Sequence, residues 1–468
     1  MKRSIPLVLA VALFMETMDS TIIATALPSI AADIGTTPIA LKLALTSYFV
    51  SLAIFIPISG WMADRYGAKQ VFRAAILVFV IGSVACAVSA TLLQFVGARF
   101  LQGMGGALMT PVGRLILVRS TPRQQLVSAM AWLTMPALIG PLLGSPVGGF
   151  ITTFFSWHWI FLINVPIGLI GVVLAGWVLP ATPGGDAGRI DWPGFVLAGV
   201  AASGVVFGLS VVSMPALPPV VGFITLIIGL LAAFGYVRHA RQAPIPILDI
   251  RLFSNPTLRI SILAGTIFRI GIGAVPFLLP LMFQIGFGLN PFESGLLTFA
   301  TALGAMSVKV VVTWMLRKMG FRAVLIIAIA AGSALIGSAG LFSRETPYWL
   351  IIATLVLIGF TRAMFFTSSN ALIFADIDDR ETAQASALAS VSQQVSIALG
   401  VAVAGMMLEA HHIFTGEEIG NAAFSIAFFA VGGLSCLALI PLFKLPPDAG
   451  VNISGHGAPK RSRPSSDR

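Results

Sequence analysis

Ionisable side chains inside long apolar runs are the first candidates for chemistry in this sequence. Two carboxylates, Glu16 and Asp19, stand three residues apart in the first run. The basic residues placed in the same way are Arg99, Arg114, Arg269, Lys309 and Arg362. A charge at membrane depth is costly, so such residues usually face a cavity or pair with one another. Cations outnumber carboxylates here, which bears on what a cavity between them could hold.

Proton transfer is the chemistry that the two carboxylates indicate. A carboxyl group in a medium of low dielectric constant can take up a proton in the physiological pH range. The helical rise per residue places Glu16 near the middle of its run, with Asp19 almost one turn further on a neighbouring face. A guanidinium close by favours the charged carboxylate. Binding of a substrate to that arginine could therefore be linked to proton binding by the carboxylate beside it.

The basic residues divide by depth. Arg269 and Arg362 fall near the middle of their runs, Arg99 in the outer third, and Arg114 and Lys309 in the inner third. An arginine can hold a carboxylate or phosphate through two parallel hydrogen bonds, because its donors form a planar fork. Two interpretations stay open: these cations pair within the protein and hold helices together, or Arg269 and Arg362 face a central cavity and bind an anionic group.

Uncharged polar residues in the runs would complete such a pocket. Asparagine and glutamine in membrane helices serve helix packing more often than ligand binding, so each one is a weaker candidate than the arginines. The candidates are Asn164, Gln284, Asn370, Gln393 and Gln394.

Long apolar runs must position all of these residues. The chain has 468 residues, 57% of them hydrophobic and 10% charged, whereas a soluble globular chain has about 25% charged residues. A spanning helix needs about 20 apolar residues, so we predict an all-α polytopic membrane protein with fourteen spanning helices. The runs lie near 5–30, 40–63, 71–90, 93–117, 125–149, 160–179, 192–213, 219–237, 257–284, 292–316, 322–342, 348–374, 383–408 and 421–443.

The distribution of basic residues predicts the orientation of these helices. The formal net charge is +10, but the basic residues stand singly at the ends of the runs and form no stripe, so nucleic acid is not expected as a partner. With a cytoplasmic N-terminus, nearly all basic residues outside the runs fall on the cytoplasmic side, in agreement with the positive-inside rule. The exceptions are Lys42, at a helix edge, and Arg344. Segment 409–420 is predicted to be an acidic outer loop.

An internal repeat predicts the domain organisation. Segment 60–69 follows the second run, and segment 317–322 occupies the same place in the last six runs; Gly67 matches Gly320, with basic residues beside each. We therefore predict two six-helix halves related by a pseudo-twofold repeat. The predicted units are an N-terminal half (1–179), a loop with two inserted helices and a cytoplasmic linker (180–255), a C-terminal half (256–445) and a basic disordered cytoplasmic tail (446–468).

Segment 60–69 also carries a family resemblance. Its residues Gly60, Asp64, Arg65, Gly67 and Lys69 resemble the loop signature of the major facilitator superfamily. The resemblance implies a latch that holds the two halves in one conformation. Glycines permit a tight turn, and we expect Asp64 to meet a helix N-terminus while Arg65 and Lys69 pair with carboxylates.

Two further stretches resemble signatures of the same family. Residues 99–106 resemble its second signature, whose arginine, here Arg99, the resemblance links to proton transfer. Residues 140–149 are similar to the antiporter signature found in exporters, where small residues and proline let helices pack closely and bend. The residues that carry this motif are Gly140, Pro141, Gly144, Gly148 and Gly149.

Segments 19–28 and 157–166 resemble motifs of the fourteen-spanner drug:proton antiporters. The resemblance implies a monomeric exporter in the bacterial inner membrane, with both termini cytoplasmic. It would work by alternating access, with the proton gradient as energy source and no cofactor. Family substrates are hydrophobic drugs, often cationic, but the surplus of arginines keeps an organic anion, a carboxylate or its metal chelate, as an alternative. Asp19→Asn is expected to abolish transport driven by a pH gradient without preventing folding.

Other classes of function are less well supported by the sequence. A receptor built on a transporter fold stays open as a lesser alternative, but such proteins usually add a signalling domain, and none is evident. No Gly-x-x-x-x-Gly-Lys-Ser/Thr loop supports an ATP-driven pump. No clustered acidic or histidine motif supports an enzyme, so we expect no enzymatic activity. His411 and His412 are predicted to lie in a solvated loop rather than to bind a metal.

Overall fold

The structure is a computed structural model, and α-helices form almost all of what it describes. It describes residues 4–122, 125–181, 183–185, 188–212, 214, 218–378 and 381–454. Within these ranges the side chains of residues 126–128, 131, 134–138, 309, 310 and 454 are outside the description. No strand occurs in the ranges described.

The first predicted run is divided into two helices. Helix α1 (Ser4–Ile22) continues through a 3-10 turn to Thr25, and α2 (Leu27–Asp33) follows. Pro28 stands in the first turn of α2, where a missing N–H costs nothing, so it favours a new helix start there. The helices that follow are α3 (Lys42–Phe55), α4 (Ser59–Tyr66), α5 (Ala68–Ala87), α6 (Leu92–Ser120), α7 (Leu126–Phe154), α8 (His158–Leu162) and α9 (Asn164–Val178). We call α1–α9 the N-terminal group.

Two helices connect this group to the rest of the chain, α10 (Trp192–Val212) and α11 (Pro219–Gln242). They pack against each other along small residues: a Cβ added at Gly204 would contact the backbone of Gly229, and one at Gly208 would contact that of Leu226. Such small residues let two membrane helices approach closely.

The remaining helices form what we call the C-terminal group. They are α12 (Pro256–Leu281), α13 (Pro291–Ser338), α14 (Tyr348–Ile373), α15 (Thr382–Thr415), α16 (Asn421–Cys436), α17 (Leu439–Leu442) and α18 (Val451–Ser454). Helix α13 is two helices joined at Gly320, which has a φ of 74°. Gly67, between α4 and α5, has a φ of 88°. Both matched glycines therefore make a sharp turn in a backbone region that glycine enters readily.

Helix lengths and composition identify a multi-pass membrane protein. Within the described residues, 12 helices are long and apolar enough to cross a membrane. They coincide with all the predicted runs except 125–149 and 292–316. Those two runs lie in α7 and in the first part of α13, and each contains residues whose side chains are outside the description.

The structure differs from the sequence-based expectation near the C-terminus. The predicted acidic loop 409–420 begins as helix, because α15 continues to Thr415 and ends at Gly416, whose φ is 69°. Glu409 and His411 are therefore buried helix residues rather than loop residues. The first residues of the predicted tail, 446–454, are also structured and include α18. Residues 455–468 of that tail lie outside the described residues.

The packing of the helices brings the two groups together. In the N-terminal group α1 contacts α7 and α9, and α6 contacts α3 and α5; in the C-terminal group α12 contacts α15 and α16, and α13 contacts α14. The groups meet where α7 contacts α13 and α3 contacts α15. Helix α10 touches both α3 and α15, with Val50, Val206 and Ala398 in one small apolar cluster.

Candidate functional site

Asp19 is the centre of a buried polar network in the N-terminal group. Its Oδ2 accepts a hydrogen bond from Arg99 Nη1 at 2.6 Å. Its Oδ1 accepts from Gln102 Nε2 at 2.8 Å and from Asn164 Nδ2 at 3.1 Å. Ser83 Oγ accepts from the same two amides. Helices α1, α5, α6 and α9 are therefore joined by one network around a fully buried carboxylate.

Arg99 makes further contacts in this network through its Nη1 and its guanidinium plane, while its Nε has no hydrogen-bond partner among the described residues. Its Nη1 also donates to Gln102 Oε1, and its guanidinium lies 4.4 Å from the centroid of the Tyr48 ring. A buried ion pair of this kind is costly to break, because either partner alone is an uncompensated charge. The network thus fits a fixed structural element. Sequence reasoning missed Gln102, although it stands one helical turn from Arg99 and could have been recognised from that spacing.

Glu16 has a looser environment than Asp19. It is half-buried and accepts a hydrogen bond from Thr110 Oγ1 of α6. Arg114, one turn further along α6, is near enough to interact electrostatically with it. The Tyr48 hydroxyl is also in electrostatic range and has no hydrogen-bond partner among the described residues. Of the two predicted proton carriers, Glu16 is therefore the one with fewer bonds to lose when its charge changes.

A cavity of about 390 Å³ lies between the two groups. Its N-terminal wall comes from α1, the 3-10 turn after it, and α7, with Thr21 and Ser145. The other walls come from α12, α13 and α14 and are largely apolar. Arg362, half-buried on α14, is the charged residue among the described wall residues, and none of these is acidic.

Arg269 lies behind this wall and does not line the cavity. It is fully buried, and its guanidinium lies 5.5 Å and 5.3 Å from the ring centroids of Phe365 and Phe366. A Cβ added at Gly265 would come within 2.6 Å of Arg269 Nη1, so that glycine leaves room for the guanidinium. None of its three nitrogens has a hydrogen-bond partner within the described part of the chain. Within the described residues, the rings of Phe365 and Phe366 are the contacts shown that favour this charge.

The remaining predicted pocket residues whose side chains are described do not line the cavity. Asn164 belongs to the Asp19 network. Gln284 Nε2 donates to the Thr25 carbonyl at 2.9 Å, which links the two groups. Asn370 and Gln393 are not among the described residues that line the cavity, and the side chain of Lys309 is outside the description.

The predicted loop signature forms contacts inside the N-terminal group. Asp64 pairs with Arg119, at the end of α6, with Nη2 and Oδ1 2.8 Å apart. Lys69 Nζ donates to the carbonyls of Gly176 and Leu179 at 2.8 and 2.9 Å. These carbonyls are at the C-terminal end of α9, where a cation is favourable. The structure thus gives Asp64 an arginine partner rather than the expected helix N-terminus.

The glycines of the predicted antiporter motif face two directions. A Cβ added at Gly140, Gly144 or Gly148 would contact α1. One added at Gly149 would instead contact the carbonyl oxygen of Pro291, the first residue of α13. The motif therefore packs α7 tightly inside its own group and also against the C-terminal group.

A buried ion pair joins the two groups at the end of the molecule where α3 begins. Lys42 Nζ donates to Glu409 Oε2 of α15 at 2.6 Å, and the side chains are 0% and 6% exposed. A Cβ at Gly405 would contact the Lys42 side chain, so this glycine leaves a slot for it. Phe292 also packs on Phe150 and Phe154 at this end, 6.0 and 5.8 Å between ring centroids. We call these contacts the Lys42–Glu409 seal.

Comparison with known proteins gives a consistent family assignment. The model of the Major Facilitator Superfamily matches residues 9–253 and 261–465. A protein of Pectobacterium atrosepticum designated multidrug resistance protein MdtD is 36% identical over 444 residues, covering 94% of this chain and 95% of that protein. A protein of Yersinia enterocolitica with the same designation is 35% identical over 450 residues, covering 95% of each chain.

Solved structures of similar fold are transporters of low sequence identity. The crystal structure of a D-xylose-proton symporter has a TM-score of 0.68 at 17% identity, covering 96% of this chain and 98% of that one. The nucleoside transporter NupG has a TM-score of 0.64 at 16% identity, covering 94% and 99%. At these identities the likeness concerns the fold alone.

Proposed function

The chain belongs to the Major Facilitator Superfamily, and we propose that it is a proton-coupled exporter of drugs or other small organic molecules that works by alternating access. The relatives' multidrug-resistance designation supports the direction of transport and the broad substrate class. The observation that carries the proposal is a cavity between the two helix groups with an ionisable residue in its wall, as expected where transporters bind substrates.

The proposed architecture has fourteen spanning helices, in two six-helix halves related by a pseudo-twofold repeat, with α10 and α11 inserted between them. The matching positive φ angles of Gly67 and Gly320 support the repeat. The proposed location is the bacterial inner membrane, with both termini cytoplasmic, because the basic loops then lie inside. The proposed protein is a monomer and needs no cofactor besides the proton gradient.

In this orientation the Lys42–Glu409 seal closes the outer end of the transport path. The ion pair and the Gly149–Pro291 contact both connect helices of opposite groups. Outward release of substrate requires these contacts to separate. The proposed cycle therefore alternates between this closed arrangement and one in which α3 and α15 part at their outer ends.

Glu16 is the proposed proton carrier. It has one hydrogen bond from Thr110 and lies in range of Arg114, so its protonation disturbs few contacts. Asp19, with its three bonds, is proposed to hold Arg99 and the helices around it in place.

An organic anion, such as a carboxylate or its metal chelate, is the second candidate substrate. Its support is electrostatic: Arg362 lines the cavity, Arg269 lies behind Phe366, and none of the described wall residues is acidic. A lipophilic cation would be repelled by both guanidinium groups.

Everted membrane vesicles test the proposed function directly. Under a proton gradient we expect accumulation of at least one member of a panel of cationic dyes and carboxylates, and loss of that accumulation when the gradient is collapsed. Glu16→Gln should lose the response to the gradient, whereas Arg259→Ala, an exposed arginine at the start of α12, should keep it. Arg269→Ala should reduce anion transport alone.

Two results would contradict these proposals. If no panel member moves under the gradient while the protein is abundant and folded, a receptor on a transporter fold becomes the better interpretation. If Arg269→Ala changes no transport at all, Arg269 has no part in the site.

A further inference from the structure

We propose that the cavity binds an amphiphilic organic monoanion, with its single carboxylate at Arg362 and its apolar body among the walls of the C-terminal group. This inference rests on the proposed function, since it names the substrate class of the same site. It selects among three classes that fit a transporter of this family: cations, polyanions and apolar monoanions.

The charge of the cavity favours an anion. Arg362 is the charged residue in the described wall, and Arg269 brings a second guanidinium close to Phe366, another residue of this wall. The Phe366 ring is close to both: its centroid is 5.9 Å from the Arg362 guanidinium carbon and 5.3 Å from that of Arg269. Because the described wall is largely apolar and contains no acidic side chain, no carboxylate of this wall compensates the two positive charges. A ligand carboxylate would compensate the charge of Arg362 through a bidentate pair.

The rest of the wall limits the ligand to one charge. Apolar side chains such as Phe268, Ile272 and Ile336 make up most of the surface. The hydroxyls of Thr298 and Thr361 donate to carbonyls of their own helices, so they are already engaged as donors. A second carboxylate would enter without an ionic partner, and burying such a charge is costly.

The size of the cavity fits a ligand of one or two rings. Its volume of about 390 Å³ lies at the lower end of the range of roughly 300–1,000 Å³ for small-molecule sites. The apolar wall offers dispersion contacts to such a body along its whole length. Phe366 and Arg362 both line the cavity one helical turn apart on α14, so the first ring of the ligand and its carboxylate can be bound side by side.

Arg269 acts in this site as a positioning residue. It is not among the described residues that line the cavity, but its guanidinium carbon lies 5.3 Å from the centroid of the Phe366 ring, which does line it. Its loss should weaken binding of the anion and leave binding of a neutral ligand of the same shape almost unchanged. A merely structural role would weaken both to the same extent.

Equilibrium binding to the purified full chain in nanodiscs tests this inference. The ligands are 2-naphthoate, its neutral isostere 2-naphthamide, 2-naphthylmethylammonium and citrate. We expect 2-naphthoate to bind at least about tenfold more tightly than the amide, since a charge-assisted hydrogen bond replaces a neutral one. In Arg362→Ala this preference should disappear, in Arg362→Lys it should be partly kept, and in Arg259→Ala it should be unchanged.

The ligand series for the unmodified protein is decisive even if a variant does not fold. Equal binding of 2-naphthoate and 2-naphthamide, or tighter binding of the ammonium compound or of citrate, would overturn the inference. Binding needs no proton gradient, so its failure can be told apart from failure of the proposed function. Export of a cationic dye with no selective binding of 2-naphthoate would contradict the inferred ligand class and still agree with the proposed exporter function. Selective binding of 2-naphthoate without any transport would support the inferred ligand class and contradict the proposed exporter function.

Discussion

Asp19 and Glu16 stand three residues apart in α1, yet their surroundings give them different roles. Asp19 is fully buried and accepts hydrogen bonds from Arg99, Gln102 and Asn164. Glu16 is half-buried and accepts one from Thr110. A group that must gain and lose a proton in every cycle works best where few partners depend on its charge, so we infer a structural role for Asp19 and a coupling role for Glu16.

Asp19→Asn is therefore expected to destabilise the protein. The substitution leaves Arg99 buried and charged without its anion, and removing one partner of such a pair costs about 3–5 kcal/mol. This differs from the expectation from sequence that folding stays intact. The measurement is the thermal unfolding midpoint of the purified protein in detergent, followed by tryptophan fluorescence.

Two variants accompany this measurement. Asp19→Asn with Arg99→Gln should recover part of the lost stability, because no uncompensated charge remains. Glu16→Gln, on the same helix, should unfold close to the unmodified protein. An Asp19→Asn variant with an unchanged midpoint would show that the network contributes little.

At the scale of helices, the Lys42–Glu409 pair connects α3 to α15 across the two groups. Lys42→Glu should place two carboxylates together in a buried site and prevent closure of this end, so transport should fall to background. The exchange Lys42→Glu with Glu409→Lys should restore at least part of the transport rate. The measurement is gradient-driven transport in vesicles that contain equal amounts of each variant. A charge-exchanged double variant as inactive as Lys42→Glu alone would argue against a simple ion-pair seal.

Two adjacent glycines of α7 allow a second test at this scale. An alanine at position 149 would overlap the carbonyl of Pro291 only while the seal is closed, whereas one at 148 would overlap Ile22 within the same group. Overpacking costs about 1–3 kcal/mol, so Gly149→Ala should shift the population toward the open outer end by roughly tenfold.

The readout is the rate at which an impermeant thiol reagent, applied from outside, modifies a cysteine placed at Ala305 in the cavity wall. Cys86 and Cys436 are replaced by alanine in this background. Gly149→Ala should raise the rate and Gly148→Ala should not. Equal rates in both variants would mean that Gly149 does not report on the seal.

For the molecule as a whole, the sequence predicted the helical membrane fold and most spans because hydrophobicity and length decide them. The sequence also matched Gly67 with Gly320, and in the structure both glycines have a positive φ, which glycine adopts readily. The start of α2 was missed, although Pro28 marks it. The end of α15 was misplaced because Glu409 looks like a solvated residue when its partner, 367 positions away, is unknown.

The site could be predicted from the sequence less completely than the fold. Depth in a helix could be counted, and it suggested that both Arg269 and Arg362 face the central cavity. Arg362 does line it, whereas Arg269 is not among the described lining residues and packs near Phe366 instead. The face of a helix that a residue occupies depends on neighbours distant in the chain. Depth alone therefore could not separate Asn164, in the Asp19 network, from residues at the cavity, or pair Lys42 with Glu409.

The direction of coupling follows from the proposed proton antiport. An exporter driven by protons moves the proton inward and the cargo outward, so the protonated and empty chain must close its outer end. Protonation of Glu16 should therefore favour the arrangement with the Lys42–Glu409 seal formed, and deprotonation together with bound substrate should favour its opening.

The most direct test is the distance between spin labels at Thr37 and Ile413, two exposed positions on opposite groups at that end, measured by electron–electron double resonance across a pH series. The account predicts a short distance at low pH, a growing longer-distance population at higher pH with substrate present, and a short distance at every pH in Glu16→Gln. A distance that is independent of pH and substrate, or a Glu16→Gln variant that responds to pH as the unmodified protein does, would contradict proton-driven alternating access through Glu16.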